Sequence, residues 1–278
     1  MALSEIESYT EIMGVWLALL LSAGSMRSAT SSVTPIIERS VKANNRDWRA
    51  VPEYNYFERD RAASGTRTYQ VLMIDGSPYQ RLVALNGRAI SPARRAEEQR
   101  KLDQVLAERR NESPAERAKR VAAYQKDRQR DHELLNQMVQ AFNFMLLGRR
   151  RLGQRTVYVL RATPRAGYLP PNREARTLIG MQGKLWIDTQ TYQWVKVEAE
   201  VVRPVWIEGF LARVEPGTRF ELEYTPVSGD VWLPKHFAMK AHATILFFIP
   251  HHDQEDESYF GYEKPAQGLA DPPAMPLG

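Results

Sequence analysis

The feature that most constrains the fold of this chain is the stretch 183–202, which reads GKLWIDTQTYQWVKVEAEVV. Apolar side chains alternate with polar ones on both sides of a short Thr-Gln-Thr turn. Because successive side chains of a strand point to opposite faces, this alternation predicts a β-hairpin with one apolar and one charged face. A lone hairpin is marginal in water, so the rest of the chain is expected to supply further strands and a cover.

Composition excludes several kinds of site and partner. The chain has 278 residues, of which 43% are hydrophobic and 26% charged, as in ordinary globular domains. It contains no cysteine, which excludes disulfides, thiolate metal ligands and the lipid-attachment cysteine of a bacterial lipoprotein. The net charge of +5 is too mild to indicate a dedicated nucleic-acid surface, but it favours peripheral contact with an anionic membrane.

The amino terminus carries the pattern of an export signal. Residues 13–24 form an apolar run that is too short to span a membrane and is followed by small residues. Three glutamates precede this run where positive charge is expected, and a translation start at Met13 would remove them. We interpret 1–29 as an export signal that is cleaved between Ser22 and Ala29, which predicts a periplasmic protein. The alternative is a buried amphipathic helix.

A long polar insertion separates two groups of strands at 91–140. Ser91-Pro92 and Ser113-Pro114 each have the cap-then-proline order of a helix start, and Glu116 stands at the capping-box position. Two mostly charged helices are therefore expected. They are interpreted as a lid, or as an arm that meets a partner or a membrane. The alternative is a cap over one end of the sheet, with charges that serve solubility.

Alternating runs that end in Asp-Gly or Asn-Gly pairs flank the insertion, and such pairs are strong hairpin signals. The predicted fold class is mainly β with a helical insertion (α+β), in which a curved antiparallel sheet or half-open β-barrel is covered by a helical lid. We expect one domain over 30–264 and a disordered Pro/Gly-rich tail at 265–278. A first helix is expected to start with Thr34 as cap and Pro35 as first residue.

The hairpin and the strands after it carry a family resemblance. GKLWID and WVKVEAEV, followed by GTRFELEY and VWLPKHF, are similar to the LolA/LolB-like family of outer-membrane lipoprotein-sorting proteins. The similarity covers roughly 52–264 in layout and is best over 183–237. It implies a half-open barrel over a hydrophobic cavity, with helices as a lid and the acyl chains of a lipid or lipoprotein as ligand. No functional residue of the carrier aligns with this chain, so none is assigned.

The dry row of the predicted sheet supplies the candidate ligand site. If the cavity is empty, its lining residues are Leu185, Ile187, Val195, Val197, Phe220, Leu222, Phe237 and Met239. If the protein's own helices fill it, the same row is an ordinary core. The chain is then a non-catalytic structural or interaction module of the cell envelope, with another envelope protein as partner.

Neither an enzyme nor a cofactor is expected, because no convergent acid, base and nucleophile can be named. The run His251-His252-Asp253 is interpreted as a polar loop between strands and not as a metal site, since adjacent histidines on extended backbone point apart. Trp186 and Trp194 are both assigned to the charged face of the hairpin, where they pack under the insertion or form a contact patch.

Overall fold

A computed structural model describes residues 27–172, 174–207, 212–245 and 249–265, and within these ranges one antiparallel sheet carries the fold. The helices are α1 (Arg27–Ala50), α2 (Pro92–Asn111) and α3 (Pro114–Ala141). The strands are β1 (Asn55–Ala62), β2 (Gly65–Ile74), β3 (Ser77–Leu85), β4 (Arg88–Ala89), β5 (Phe142–Leu152), β6 (Arg155–Pro164), β7 (Met181–Asp188), β8 (Trp194–Val201), β9 (Val205–Ile207), β10 (Ala212–Val214), β11 (Arg219–Ser228), β12 (Val231–Ile245) and β13 (Ile249–Glu263).

The sheet has 13 described strands and is open, with the order β4-β3-β2-β1-β13-β12-β11-β8-β7-β6-β5. The short strands β9 and β10 pair with each other, and β10 also pairs with β12. The predicted fold class, mainly β with a helical insertion and an unclosed antiparallel sheet, is confirmed.

The hairpin at 183–202 is formed by β7 and β8, with a register shift that the alternation did not reveal. Leu185 pairs with Val197, whereas Ile187 pairs with Trp194, because a bulge interrupts the ladder between them. The extra residue turns Trp194 to the apolar face, where it is only 5% exposed. The assignment of Trp194 to the charged face was therefore wrong. Trp186 lies on the other face, with the Lys196 ammonium 5.9 Å from its ring centre.

Helix α1 does not start at Pro35, which lies inside it. The predicted start was wrong, because an interior proline removes one helical hydrogen bond but tertiary packing can offset that cost. The packing comes from Val33, Ile36 and Ile37, which are all buried in the core. Of the predicted export signal 1–29, residues 1–26 lie outside the described residues, as do 266–278 of the predicted tail, so both remain predictions.

The helix starts within the insertion are confirmed. The Ser91 hydroxyl accepts a hydrogen bond from the Arg94 N–H, and Ser113 and Glu116 form the full capping box. None of the helices in the described ranges is long and apolar enough to cross a membrane.

Helix α2 covers the β3 side of the sheet. A Glu98 carboxylate oxygen accepts the backbone N–H of Leu82 at 3.3 Å. The buried Arg109 guanidinium donates to the carbonyl oxygens of Ile74 at 2.6 Å, Ser77 at 3.0 Å and Pro78 at 3.2 Å. These bonds satisfy strand groups that no long neighbouring strand reaches, so α2 protects this edge from pairing with another chain.

Helix α3 runs from the β2–β3 turn to β5. Near its start, Arg120 donates to the Ser77 hydroxyl at 2.6 Å and to Glu112 of the α2–α3 connection at 2.6 Å. Near its end, Met138 and Val139 pack against the core that contains Leu160. The insertion therefore lies over the sheet and does not extend away from it.

The segment His251-His252-Asp253 belongs to β13, so its prediction as a loop was wrong. Ala243 pairs with His251 and His242 with His252, which places the strand start at Ile249. Polar residues are tolerated in this strand because antiparallel sheets often keep one face in solvent.

Candidate functional site

The candidate site is the inner face of the sheet, defined as the face on which α1 packs. Directly paired residues in an antiparallel ladder share a face. One line of such partners crosses the sheet through Leu185, Val197, Leu222, Phe237, Glu257 and Asp60. The inner face is thus apolar on β7 to β12 and acidic on β13 and β1.

Helix α1 fills the inner face over β6, β7 and β8. Ile36 and Ile37 lie in one cluster with Leu185 and Ile187, which are 3% and 0% exposed. Val197 packs against the edge of this cluster and is half-buried. This part of the predicted cavity is occupied by the protein's own helix.

Beyond α1, four apolar side chains form what we name the inner trough. Phe220 pairs with Met239, and Leu222 pairs with Phe237, so the four stand together on neighbouring strands. All four are half-buried, in contrast to the closed core next to them. Val195, the last of the eight predicted lining residues, is half-buried and lies at the β8 bulge, apart from the trough.

An acid–tyrosine cluster borders the trough on β1 and β13. Carboxylate oxygens of Glu58, Asp60 and Glu257 lie within 4.8 Å of one another. Burial, reinforced by the two neighbouring carboxylates, raises the pKa of Glu58 to about 7. The Tyr259 hydroxyl donates to Glu257, and burial raises the pKa of Tyr259. Glu58 therefore keeps its proton close to neutral pH.

Sequence reasoning missed this cluster because its members come from opposite ends of the chain. Asp60 pairs with Glu257 only because β13 returns to β1. Glu58 and Asp60 alternate with Phe57, Arg59 and Arg61, and an acidic row beside arginines ordinarily indicates a face in solvent. Only the strand order reveals that these acids share the inner face.

A groove of about 810 Å³ crosses β6 to β13, and it is not the predicted apolar cavity. Lys184, Glu198 and Glu221, which line it, are register partners one position away from the Leu185 line. They therefore face the outer side of the sheet, because neighbouring residues alternate. Phe220 and Met239 also line the groove, because each lies between two lining residues of its own strand.

Contacts between Trp48 of α1 and Arg128 of α3 hold the two helices together; we name them the α1–α3 joint. The Arg128 guanidinium lies 4.6 Å from the ring centre of Trp48 and donates to the Trp48 carbonyl oxygen. His132, one turn further along α3, is 7% exposed. No local sequence pattern indicates which distant aromatic ring His132 meets.

Comparison with known proteins gives matches among solved structures alone: no family model and no curated protein matches this chain. One match is a domain described as an outer-membrane lipoprotein-sorting protein from Vibrio parahaemolyticus, with 12% identity, 84% of this chain and 95% of that chain covered, and a TM-score of 0.32. Another is a LolA-superfamily protein from Nitrosomonas europaea, with 12% identity, 86% and 94% covered, and a TM-score of 0.30.

A further match is the complex of MucA and MucB from Pseudomonas aeruginosa, with 11% identity, 79% and 92% covered, and a TM-score of 0.21. The first two bear the family description that the hairpin and strand sequences resemble. At TM-scores this low, the function of the chain has to be argued from its own inner face.

Proposed function

We propose that this chain is a non-enzymatic periplasmic carrier or chaperone that binds an acyl chain of a lipid or lipoprotein in the inner trough. The observation that carries the proposal is the half-burial of Phe220, Leu222, Phe237 and Met239 at the point where α1 stops covering the inner face. An acyl chain needs only a dry apolar groove, and these side chains continue the apolar surface of the closed core outward.

The bordering acids support a ligand with one apolar and one polar end. The line Leu222–Phe237–Glu257 passes from apolar to carboxyl within three strands. The polar headgroup of an acylated ligand can lie at this carboxyl end, while the alkyl tail lies on the phenylalanines.

Uptake of a fluorescent fatty acid by the purified protein tests the proposal. Phe237→Gln should weaken uptake roughly tenfold, because it places an amide in the trough. Trp186→Gln is the matched control, since Trp186 lies on the outer side, where it pairs with Lys196, and it should bind as the unmodified chain does. Equal uptake by both variants, or none by the unmodified chain, would overturn the proposal.

A second candidate function is a non-catalytic interaction module of the envelope whose partner is another protein. The observation that favours it is the closed cluster of α1 with Leu185 and Ile187, which leaves no space for a ligand under the helix. In this case α1 is a permanent part of the core.

Hydrogen exchange of β11 and β12 separates the two functions. An acyl chain in the inner trough should slow the exchange of amides along 220–222 and 237–239 when fatty acid is added, because it shields these strands from water. In an interaction module the exchange of the same amides is unchanged at saturating fatty acid. Native mass spectrometry of protein purified from membranes supplies a second readout, since a carrier should retain acyl lipid.

A further inference from the structure

A second surface differs from the inner trough because it combines exposed apolar side chains with arginines. Among the described residues, six large apolar side chains are well exposed, and four of them lie in the segments 169–179 before β7 and 202–206 after β8. They are Leu169 at 86% exposure, Ile179 at 41%, Trp206 at 41% and Val202 at 37%. Large apolar side chains that are exposed singly need no explanation, but a cluster marks an interaction site.

The backbone of the segments before β7 and after β8 is held in place by hydrogen bonds and close packing. The carbonyl oxygen of Gly180 accepts the N–H groups of Val202 at 2.8 Å and Arg203 at 3.2 Å. A side chain on Gly180 would begin 2.3 Å from Val205 and 2.5 Å from the Arg203 carbonyl oxygen, so the two segments touch at van der Waals distance. The apolar surface is therefore built into the fold and is not a frayed loop.

The loop that carries Leu169 is anchored on its inner side. The hydroxyl of Tyr168 donates to Gln137 of α3 at 2.9 Å, and its ring packs against a buried cluster that includes Leu178. Leu169 is followed by Pro170 and Pro171, which restrict the backbone. Because Tyr168 is anchored in the interior, the next residue, Leu169, projects into solvent.

The surface is basic as well as apolar. A groove of about 350 Å³ separates the two segments, and its lining residues are Pro170, Arg176, Ile179, Gly180, Arg203, Pro204, Val205 and Trp206. Among the lining residues that the structure describes, two are arginines and none is an acid. Arg203 donates to the Ile179 carbonyl oxygen at 2.9 Å, which fixes its guanidinium beside the exposed apolar groups. We name this surface the arginine–apolar tip.

We propose that the arginine–apolar tip docks on the surface of a membrane that contains anionic phospholipid. Tryptophan and leucine enter the boundary between headgroups and acyl chains, and arginine pairs with lipid phosphate at the same depth. Charge complementarity favours this occupant, because the charged residues in the described part of the lining are both arginines. A projecting leucine also needs no shaped pocket in a bilayer, whereas a protein partner would have to supply one.

Vesicle co-sedimentation tests the tip without reference to ligand uptake, so either proposal can fail while the other stands. The full chain should bind vesicles of phosphatidylcholine with phosphatidylglycerol more tightly than pure phosphatidylcholine vesicles. Leu169→Ser should weaken binding to the mixed vesicles roughly fivefold, since it removes one inserted side chain. Arg176→Gln should weaken it by a similar factor on mixed vesicles and leave pure phosphatidylcholine unaffected.

Met145→Ser is the matched control, because Met145 is 47% exposed on β5, outside the tip. It should bind as the unmodified chain does. The proposal is overturned if the unmodified chain does not distinguish the two kinds of vesicle, or if Met145→Ser weakens binding as much as Leu169→Ser. Since Leu169 is a surface residue, its loss should not affect folding, and unchanged thermal unfolding of the variant checks this.

Discussion

The imidazole of His132 stacks on the indole of Trp48, with 4.2 Å between the ring centres and 15° between the planes. This contact joins α3 to α1, and it places a titratable ring in a buried, positively charged setting. Burial, followed by the nearby Arg128 and Arg49, lowers the pKa of His132. The joint is therefore strongest when the imidazole is neutral.

His132 should make the fold less stable in mild acid. A lowered pKa in the folded state means that the unfolded chain takes up the proton first, so the stabilisation is complete above about pH 6.5 and is lost as the pH falls. Replacing His132 with phenylalanine keeps the stacking and should reduce the loss of unfolding free energy between about pH 7 and pH 5 by roughly 1 kcal/mol. Denaturant unfolding of both proteins across this range measures it.

Other groups titrate in the same range, so the comparison needs a control histidine. His236→Gln removes an imidazole on β12 that lies 3.4 Å from Asp256. The prediction fails if His132→Phe and His236→Gln change the pH dependence equally.

Glu58 should have the opposite effect on pH dependence. Its pKa is raised to about 7, so the native state holds the proton that the unfolded chain releases at ordinary carboxyl pKa values. This stabilisation is present in acid and is lost as the pH rises to about 7. Glu58→Gln should therefore raise the unfolding free energy at about pH 8 by roughly 1 kcal/mol and change little at about pH 4.5, after allowance for partial solvent screening.

Glu53→Gln provides the comparison for Glu58, because Glu53 is an exposed carboxylate that pairs with Lys264 at 2.8 Å. It should alter stability only slightly at either pH. A Glu58→Gln variant that is less stable than the unmodified chain at pH 8 would show that the three carboxylates do not repel one another.

Arg109 should be the residue of α2 whose loss costs most. Its guanidinium donates to three backbone carbonyl oxygens and is 8% exposed. Arg109→Met keeps the length of the side chain but leaves these oxygens without their donor, so we expect a loss of about 2–4 kcal/mol. Arg110→Met, one position along and exposed, should stay within about 0.5 kcal/mol. Similar losses for both in thermal or denaturant unfolding would contradict the docking of α2 through Arg109.

Gly183 should tolerate no side chain, although the alternating sequence pattern of β7 would allow an apolar residue at this position. An added Cβ would lie 2.3 Å from the Glu198 carbonyl oxygen on β8 and 3.3 Å from the Ala199 Cα. Because both atoms belong to the backbone, Gly183→Ala has to shift a strand, which should cost about 2–3 kcal/mol. Lys184→Ala, next to it on the outer side, should cost far less. Equal stability of the Gly183→Ala variant and the unmodified chain would disprove the close approach.

Local features of the fold were predictable from sequence, and distant ones were not. The Ser113–Glu116 capping box and the β7–β8 hairpin each involve residues that are close in the sequence, so spacing and alternation indicate them. The face of Trp194 depends on one bulge, which composition does not signal. The stacking of Trp48 on His132 joins helices that no motif relates.

In the candidate site, too, some features could be predicted from the sequence and others depend on the tertiary structure. That Leu185 and Phe237 share a dry row follows from alternation, and their register line carries it across four strands. That α1 closes over Leu185 but leaves Phe237 half-buried depends on where one helix lies, which amphipathicity does not specify. The approach of Glu58 to Glu257 required the strand order itself.

The pairing of β1 with β13 also determines when the sheet can be completed during synthesis of the chain. Arg61 and Asp256, whose side chains meet across these strands at 2.9 Å, are 195 residues apart. In the sheet order, β13 is the strand that bridges the amino-terminal meander and the rest of the ladder. As the chain emerges residue by residue, β1 therefore keeps an unpaired edge until β13 has been made. The nascent protein has to keep that edge from foreign strands throughout, and a truncation before β13 would leave two separate sheets.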